Sequence, residues 1–173
     1  MPELEFRSLY DTVFPILYRV AYGVARSAEA AEDLCQDAFF KLYEKDMVFP
    51  SQDDAKFWLI RVVKNAALNY AKRKERERLV YQKAFREDTR KTPTGEDDLV
   101  RKETAGEVNE ALAALPEKMR IILIMTENTD LSYKEIGRIL GISEGNVKIR
   151  VFRAREKLHT LLEAKMGVEN VSR

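Results

Sequence analysis

Residues 131–158, LSYKEIGRILGISEGNVKIRVFRAREKL, constrain this chain more than any other segment, because their pattern fits two helices joined by a tight turn. Ser132 and Glu135 stand at capping-box spacing. The hydroxyl can accept from the third helical amide while the carboxylate accepts from the amide of the cap. Ile136, Ile139 and Leu140 follow as an apolar face at helical period. Gly141 ends that helix, since a sharp turn needs a left-handed residue and glycine adopts that conformation without a Cβ clash. Ile142 plugs the turn, and Ser143 is set to cap the next helix. This is the pattern of a helix-turn-helix.

The second helix says what the pair is for. At about 100° per residue, Val147, Val151, Ala154 and Leu158 share the face that packs on the first helix. Lys148, Ile149, Phe152 and Arg153 fall on the solvent side. A cationic helix that is merely solvated seldom exposes an isoleucine and a phenylalanine among its charges. A helix lying in a DNA major groove uses both kinds: cations for phosphates and guanine edges, apolar groups for thymine methyls.

Helical periodicity fills most of the remaining chain. Leu9, Val13, Ile16, Leu17, Val20 and Val24 form one face, with Pro15 as a kink or early-turn residue. Ser27 can cap a second helix running to about Tyr43. Its inner side is Ala31, Leu34, Cys35, Ala38, Phe39 and Leu42, and its outer side is Glu32, Asp33, Gln36, Asp37 and Lys41. A loop over 45–54 contains Pro50, with Asp53 or Asp54 as the next cap. The third helix runs from about Ala55 to past Arg78. It is buried through Phe57, Leu59, Ile60, Val63, Ala67 and marginally Tyr70, and Trp58 is expected in the core beside Leu59 and Val62.

From about Gln82 the periodicity fades into the polar stretch 86–98, which contains Pro93 and Gly95 and reads as a linker. Helix resumes near Leu99 through Val108, Leu112 and Leu115. Pro116 then opens another helix carrying Ile121, Ile122, Leu123 and Met125. No strand pattern competes. The expectation is an all-α chain of two small helical domains, 1–82 and 104–173, joined by a flexible linker over 83–103.

The formal net charge of +1 conceals blocks. Acids dominate from Glu29 to Asp54, cations from Lys56 to Arg78, acids again at Glu96, Asp97 and Asp98, and cations in the last helix. Such alternation implies separate surfaces for separate partners, the basic ones suited to nucleic acid. Cys35 is the only cysteine, so no intrachain disulfide or cysteine metal site can form, and it reads as a small core residue. His159, the only histidine, has no dyad partner and reads as a cation near a helix C-terminus. No metal-ligand cluster, Gly-rich phosphate loop or nucleophile–base pair stands in the sequence, so no catalytic residue, metal or cofactor is expected. The opening MPELEF lacks an apolar signal core, and no apolar run approaches eighteen residues, which predicts a cytoplasmic chain without a membrane span.

Taken in order, AEDLCQDAF (31–39), FWLIRVVKN (57–65), NYAKRK (69–74), ALPEKMR (114–120), YKEIG (133–137) and GNVKIRVFRAR (145–155) resemble a bacterial RNA polymerase sigma factor. The likeness is to the two-domain, sigma-70-related extracytoplasmic-function family. It implies that the second helix docks on the β′ clamp helices of core polymerase through Asp33, Gln36 and Asp37. It implies that the third helix reads and melts the −10 element as a single strand through Asn65, Asn69 and Tyr70, with Lys72 and Arg73 on phosphates. Amides, an aromatic ring and cations suit bases and backbone of an unpaired strand. The loop 45–54 would receive an extruded base.

The likeness further implies −35 recognition as duplex by Lys148, Ile149, Phe152 and Arg153, with Asn146 and Arg150 on phosphates, and partnership with the β flap and an anti-sigma factor. About twenty linker residues reach at most roughly 70 Å, which matches two turns of duplex at about 68 Å. Asn146, Gly137 and Asp37 replace the usual threonine, alanine and glutamate, and Ile149 fills a position that is often polar; these departures bear on which −35 sequence is preferred. A free-standing helix-turn-helix regulator is the alternative, and it would bind duplex without polymerase.

Overall fold

The computed structural model describes residues 2–88 and 99–171. Seven helices follow one another: α1 Glu3–Ala25, α2 Ala28–Glu44, α3 Gln52–Asp88, α4 Leu99–Ala114, α5 Glu117–Asn128, α6 Tyr133–Leu140 and α7 Glu144–Val171. No strand occurs among the described residues.

Local chemistry accounts for the boundaries. Ser27 caps α2 by accepting the Ala30 amide at 3.2 Å. At the start of α3 the cap is Ser51 rather than Asp53 or Asp54. Its hydroxyl accepts the Asp54 amide at 3.2 Å and donates to the Asp54 carboxylate at 2.7 Å. The serine lies one turn earlier and satisfies an orphan amide that the acids, already inside the helix, cannot reach. Pro15 lies in the interior of α1, not in its first turn.

Helix α3 continues to Asp88, well past the point where apolar periodicity fades. The extra turns are rich in Lys, Arg, Glu and Gln, which favour helix without burial, and local ion pairs such as Arg78–Glu75 at 2.7 Å assist them. Residues 83–88 and 99–103, expected in the linker, are therefore helical. The rest of the expected linker, 89–98, lies outside the described residues.

Helices α1, α2 and α3 pack around Leu17, Val20, Cys35, Leu59, Ile60 and Val63, all fully buried. Helices α4 to α7 pack around Ile122, Met125, Ile136, Val147 and Val151. The two units are not separate here: α1 lies against α5 and α3 against α6, and the apolar cluster runs through both. At Gly23 a Cβ would stand 2.7 Å from Ile124 Cγ2 and 3.0 Å from Asn128 Nδ2, so glycine permits the close approach of α1 and α5. The sequence gives no sign of this contact between the two units, because apolar spacing reports that a face is buried without saying against what.

The helix-turn-helix forms as its spacing predicts. Ser132 and Glu135 exchange both capping-box bonds, at 3.1 and 2.8 Å. Gly141 takes φ +70°, and the Ile142 amide donates to the Gly137 carbonyl at 2.9 Å. A Cβ on Gly137 would meet the Ile142 carbonyl oxygen at 2.6 Å, so the turn folds onto α6 closely enough to need glycine there. Helix α7 runs far beyond Leu158. His159 thus sits in mid-helix, 3.5 Å from Glu163, and the helix-terminus account of it does not hold.

Candidate nucleic-acid interface

On α7 the buried side is Val147, Val151 and Ala154, and the outward side is the mixed face read from the sequence. Ile149 and Phe152 are 51% and 63% exposed, between the exposed cations Lys148 and Arg153. Asn146 is exposed near the N-terminus of α7, while Arg150 is half-buried at the edge of the face. Tyr133 of α6 and Arg155 join Ile149 and Phe152 around an open depression of about 410 Å³. Neither of these two was among the expected contacts. Arg155 Nε donates to Glu127 at 3.0 Å, and that hydrogen bond raises its already high pKa. The result is a helix face that is cationic at its rim and apolar at its centre.

Helix α3 carries the second set. Asn65 and Asn69 are exposed one turn apart, and Tyr70 is half-buried beside them. The Arg73 guanidinium and the Lys74 ammonium lie 5.6 and 5.7 Å from the Tyr70 ring centroid, within cation–π range. Tyr70, Arg73 and Lys74 form one wall of a groove of about 490 Å³ whose other wall is α2, with Asp33 and Asp37. Residues assigned to polymerase and to DNA therefore share one groove, although sequence spacing gave no hint of it. Gln36 is exposed on α2 outside that lining, as are the two asparagines on α3. Lys72, expected on phosphate, is held by Glu117 of α5 at 3.2 Å. Burial lowers the pKa of nearby Lys64, and Glu117 partly opposes that shift.

The loop between α2 and α3 borders a cavity of about 420 Å³ lined by Leu9, Met47, Val48, Phe49, Pro50 and Gln52 among others. Phe49 rests on Trp58 with ring centroids 5.8 Å apart. Trp58, expected in the core, is only partly buried, because it supports this loop from below.

One group of residues was missed altogether. Lys56 of α3 reaches Glu135 of α6 at 2.9 Å, and Arg138 of α6 reaches Asp54 at 3.1 Å. Arg138 also lies 4.7 Å from the Phe57 ring centroid. Burial pushes the Glu135 carboxyl up, but the Ser132 amide and Lys56 outweigh it and hold the group below its ordinary range. Partners separated by 79 and 84 positions leave no local signal that could have revealed them. Among the described residues no cluster of potential metal ligands occurs, and no helix is long and apolar enough to cross a membrane.

Comparison with known proteins adds a second line of observation. The family model for Sigma-70 region 2 matches residues 9–77, and that for Sigma-70, region 4 matches residues 105–158. The ECF RNA polymerase sigma factor SigM of Mycobacterium tuberculosis is 33% identical over 146 residues, covering 84% of this chain and 71% of the relative. The ECF RNA polymerase sigma factor SigE of Mycolicibacterium smegmatis is 29% identical over 151 residues, covering 84% of this chain but only 57% of SigE. Among solved structures, the sigma factor RpoE of Bartonella quintana, in complex with the anti-sigma factor NepR, superimposes with a TM-score of 0.58 at 26% identity. That match covers 91% of this chain and 96% of RpoE.

Proposed function

The chain belongs to the extracytoplasmic-function family of RNA polymerase sigma factors, and from that premise we propose that it is a promoter-specificity subunit with no catalysis of its own. The observation that carries the reading is the outward face of α7, where Ile149 and Phe152 stand exposed between Lys148 and Arg153. That face has the chemistry of major-groove readout: cations at the edges, apolar groups where thymine methyls project. In this reading residues 1–82 serve core polymerase and the −10 strand, and 104–173 serve the −35 duplex.

Asp33, Gln36 and Asp37 supply the contact with core enzyme at the β′ clamp helices. Asn65, Asn69 and Tyr70 bind the unpaired −10 strand, with Lys72 and Arg73 on its phosphates. Asn146 and Arg150 position α7 on the −35 backbone, and the region 4-like unit also meets the β flap. An anti-sigma factor is the expected antagonist, in line with the complex of the Bartonella relative. The work is carried out in the cytoplasm.

Transcription in vitro with core polymerase on a random promoter library tests the reading. Addition of the chain should enrich templates sharing two spaced elements, and no enrichment on any template would refute it. Arg153→Ala should weaken −35-dependent initiation while leaving core association intact. The pair Asp33→Ala and Gln36→Ala should lower core association instead. A chain that shifts duplex with submicromolar affinity in the absence of polymerase would favour a free-standing regulator.

A further inference from the structure

A groove of about 1040 Å³ opens where the two units meet, and the contacts proposed above touch it only at Lys72. Val24 of α1 and Leu68 of α3, both buried, form its base with Ala71 and with Ala113 of α4. Around that base stand four cations, Lys72, Arg76 and Arg78 of α3 and Arg120 of α5, against two acids, Glu75 and Glu110.

Both acids are already engaged. Glu75 accepts from Arg78 at 2.7 Å, and Glu110 is bonded to Lys165 of α7. Lys72 has its own carboxylate in Glu117 at 3.2 Å. Arg76 and Arg120 are left without an acid partner among the described residues. Arg76 is exposed, so solvent covers its charge. Arg120 is half-buried, and its Nε is shut off from solvent with no acceptor. Its Nη1 donates to the Ala113 carbonyl at 3.5 Å, the long limit of a hydrogen bond. Buried donors are nearly always matched, so one left open beside a groove marks a place for an acceptor from outside the chain.

We propose that this groove binds an organic polyphosphate, of the class of a nucleoside triphosphate, with Arg76 and Arg120 on the phosphate oxygens and the apolar base under the sugar and ring. Guanidinium forks match phosphate oxygens in planar pairs and keep their charge at any physiological pH. An inorganic phosphate would use the cations but leave the apolar base uncovered. The size fits, since pockets for small ligands usually run to about 300–1,000 Å³. Because α3 belongs to one unit and α4 and α5 to the other, the ligand touches both. The inference uses no promoter contact and goes beyond the sigma-factor reading.

The test is calorimetry on the full chain, with magnesium-free ATP, inorganic pyrophosphate and adenosine as probes. ATP should bind at one site per chain, and pyrophosphate roughly tenfold more weakly, because it leaves the apolar base wet. Adenosine alone should give no measurable binding at the same concentrations. Arg76→Gln and Arg120→Gln should each weaken ATP binding about tenfold, the scale of one charged hydrogen bond. Arg76 is exposed, so its replacement leaves the fold intact and decides the matter even where Arg120→Gln does not fold. Lys41→Gln, at an exposed cation of α2 outside the groove, should leave ATP binding unchanged. Absence of ATP binding at about 1 mM would overturn the proposal, and so would full affinity in Arg76→Gln. Equal affinity for pyrophosphate and ATP would overturn the organic ligand. Equal losses in Lys41→Gln and Arg76→Gln would show general charge attraction and overturn the site.

Discussion

The ion pairs between α3 and α6 should set how tightly the two halves of the chain close on each other, and Lys56→Met with Arg138→Met is the perturbation that reports it. The Lys56 and Glu135 side chains are 18% and 30% exposed, so their 2.9 Å bond lies between a surface pair and a buried one. A coupling of about 1 kcal/mol is reasonable for such a pair. The Arg138–Asp54 pair is more exposed and contributes about 0.5 kcal/mol. The Arg138–Phe57 contact adds about 0.5 kcal/mol. Their joint loss, about 2 kcal/mol, shifts the ratio of docked to separated forms by roughly 30-fold. A ratio of about 100 to 1 would fall to about 3 to 1, so the separated form would rise from about 1% to about a quarter of molecules.

Energy transfer between dyes attached at the exposed positions Lys41 and Lys157 reads this change directly. Each single variant should show part of the loss, and the double variant the sum. A double variant with wild-type transfer, and wild-type response to added salt, would show that these pairs do not hold the halves together.

Three further outcomes are expected. Gly137→Ala should lower the melting free energy by about 1–3 kcal/mol, because its Cβ would press on the Ile142 backbone oxygen, which cannot swing aside; thermal unfolding measures it, and an unchanged midpoint would contradict the close turn. Cys35 is buried and its thiol is pushed up to about 12, first by desolvation and then by Glu32; alkylation at pH 8 should therefore be negligible in the folded chain and complete in denaturant. Glu135 is held below the ordinary carboxyl value, so the stability that it lends is present above about pH 4.3 and is lost as pH falls through its folded value. Acid titration of the dye-labelled chain should show opening in that range, and Glu135→Gln should abolish that step.

The fold was legible where one residue type has one local job. Ser27, Ser143 and the Ser132–Glu135 pair act through bonds with amides three positions away, and Gly141 through its left-handed φ, so spacing alone exposes them. The buried face of α3 was likewise readable, since Phe57, Leu59, Ile60, Val63 and Ala67 keep helical period and are all buried. Trp58 shows the limit: its neighbours point to the core, but whether it is covered depends on a loop crossing it. The length of α3 was underestimated because its last turns owe their helicity to propensity and local charge, which leave no apolar rhythm. At the candidate site, the outward face of α7 was visible as a violation of ordinary surface chemistry. Tyr133 and Arg155 were not, because they enter that depression from another helix and from the rim of α7.

Glu135 belongs to two structures at once. One oxygen closes the cap of α6, and the other receives Lys56 from the far unit. When the units part, Lys56 loses its acceptor but the cap keeps its own bond, so the capping box at the N-terminus of α6 stays closed.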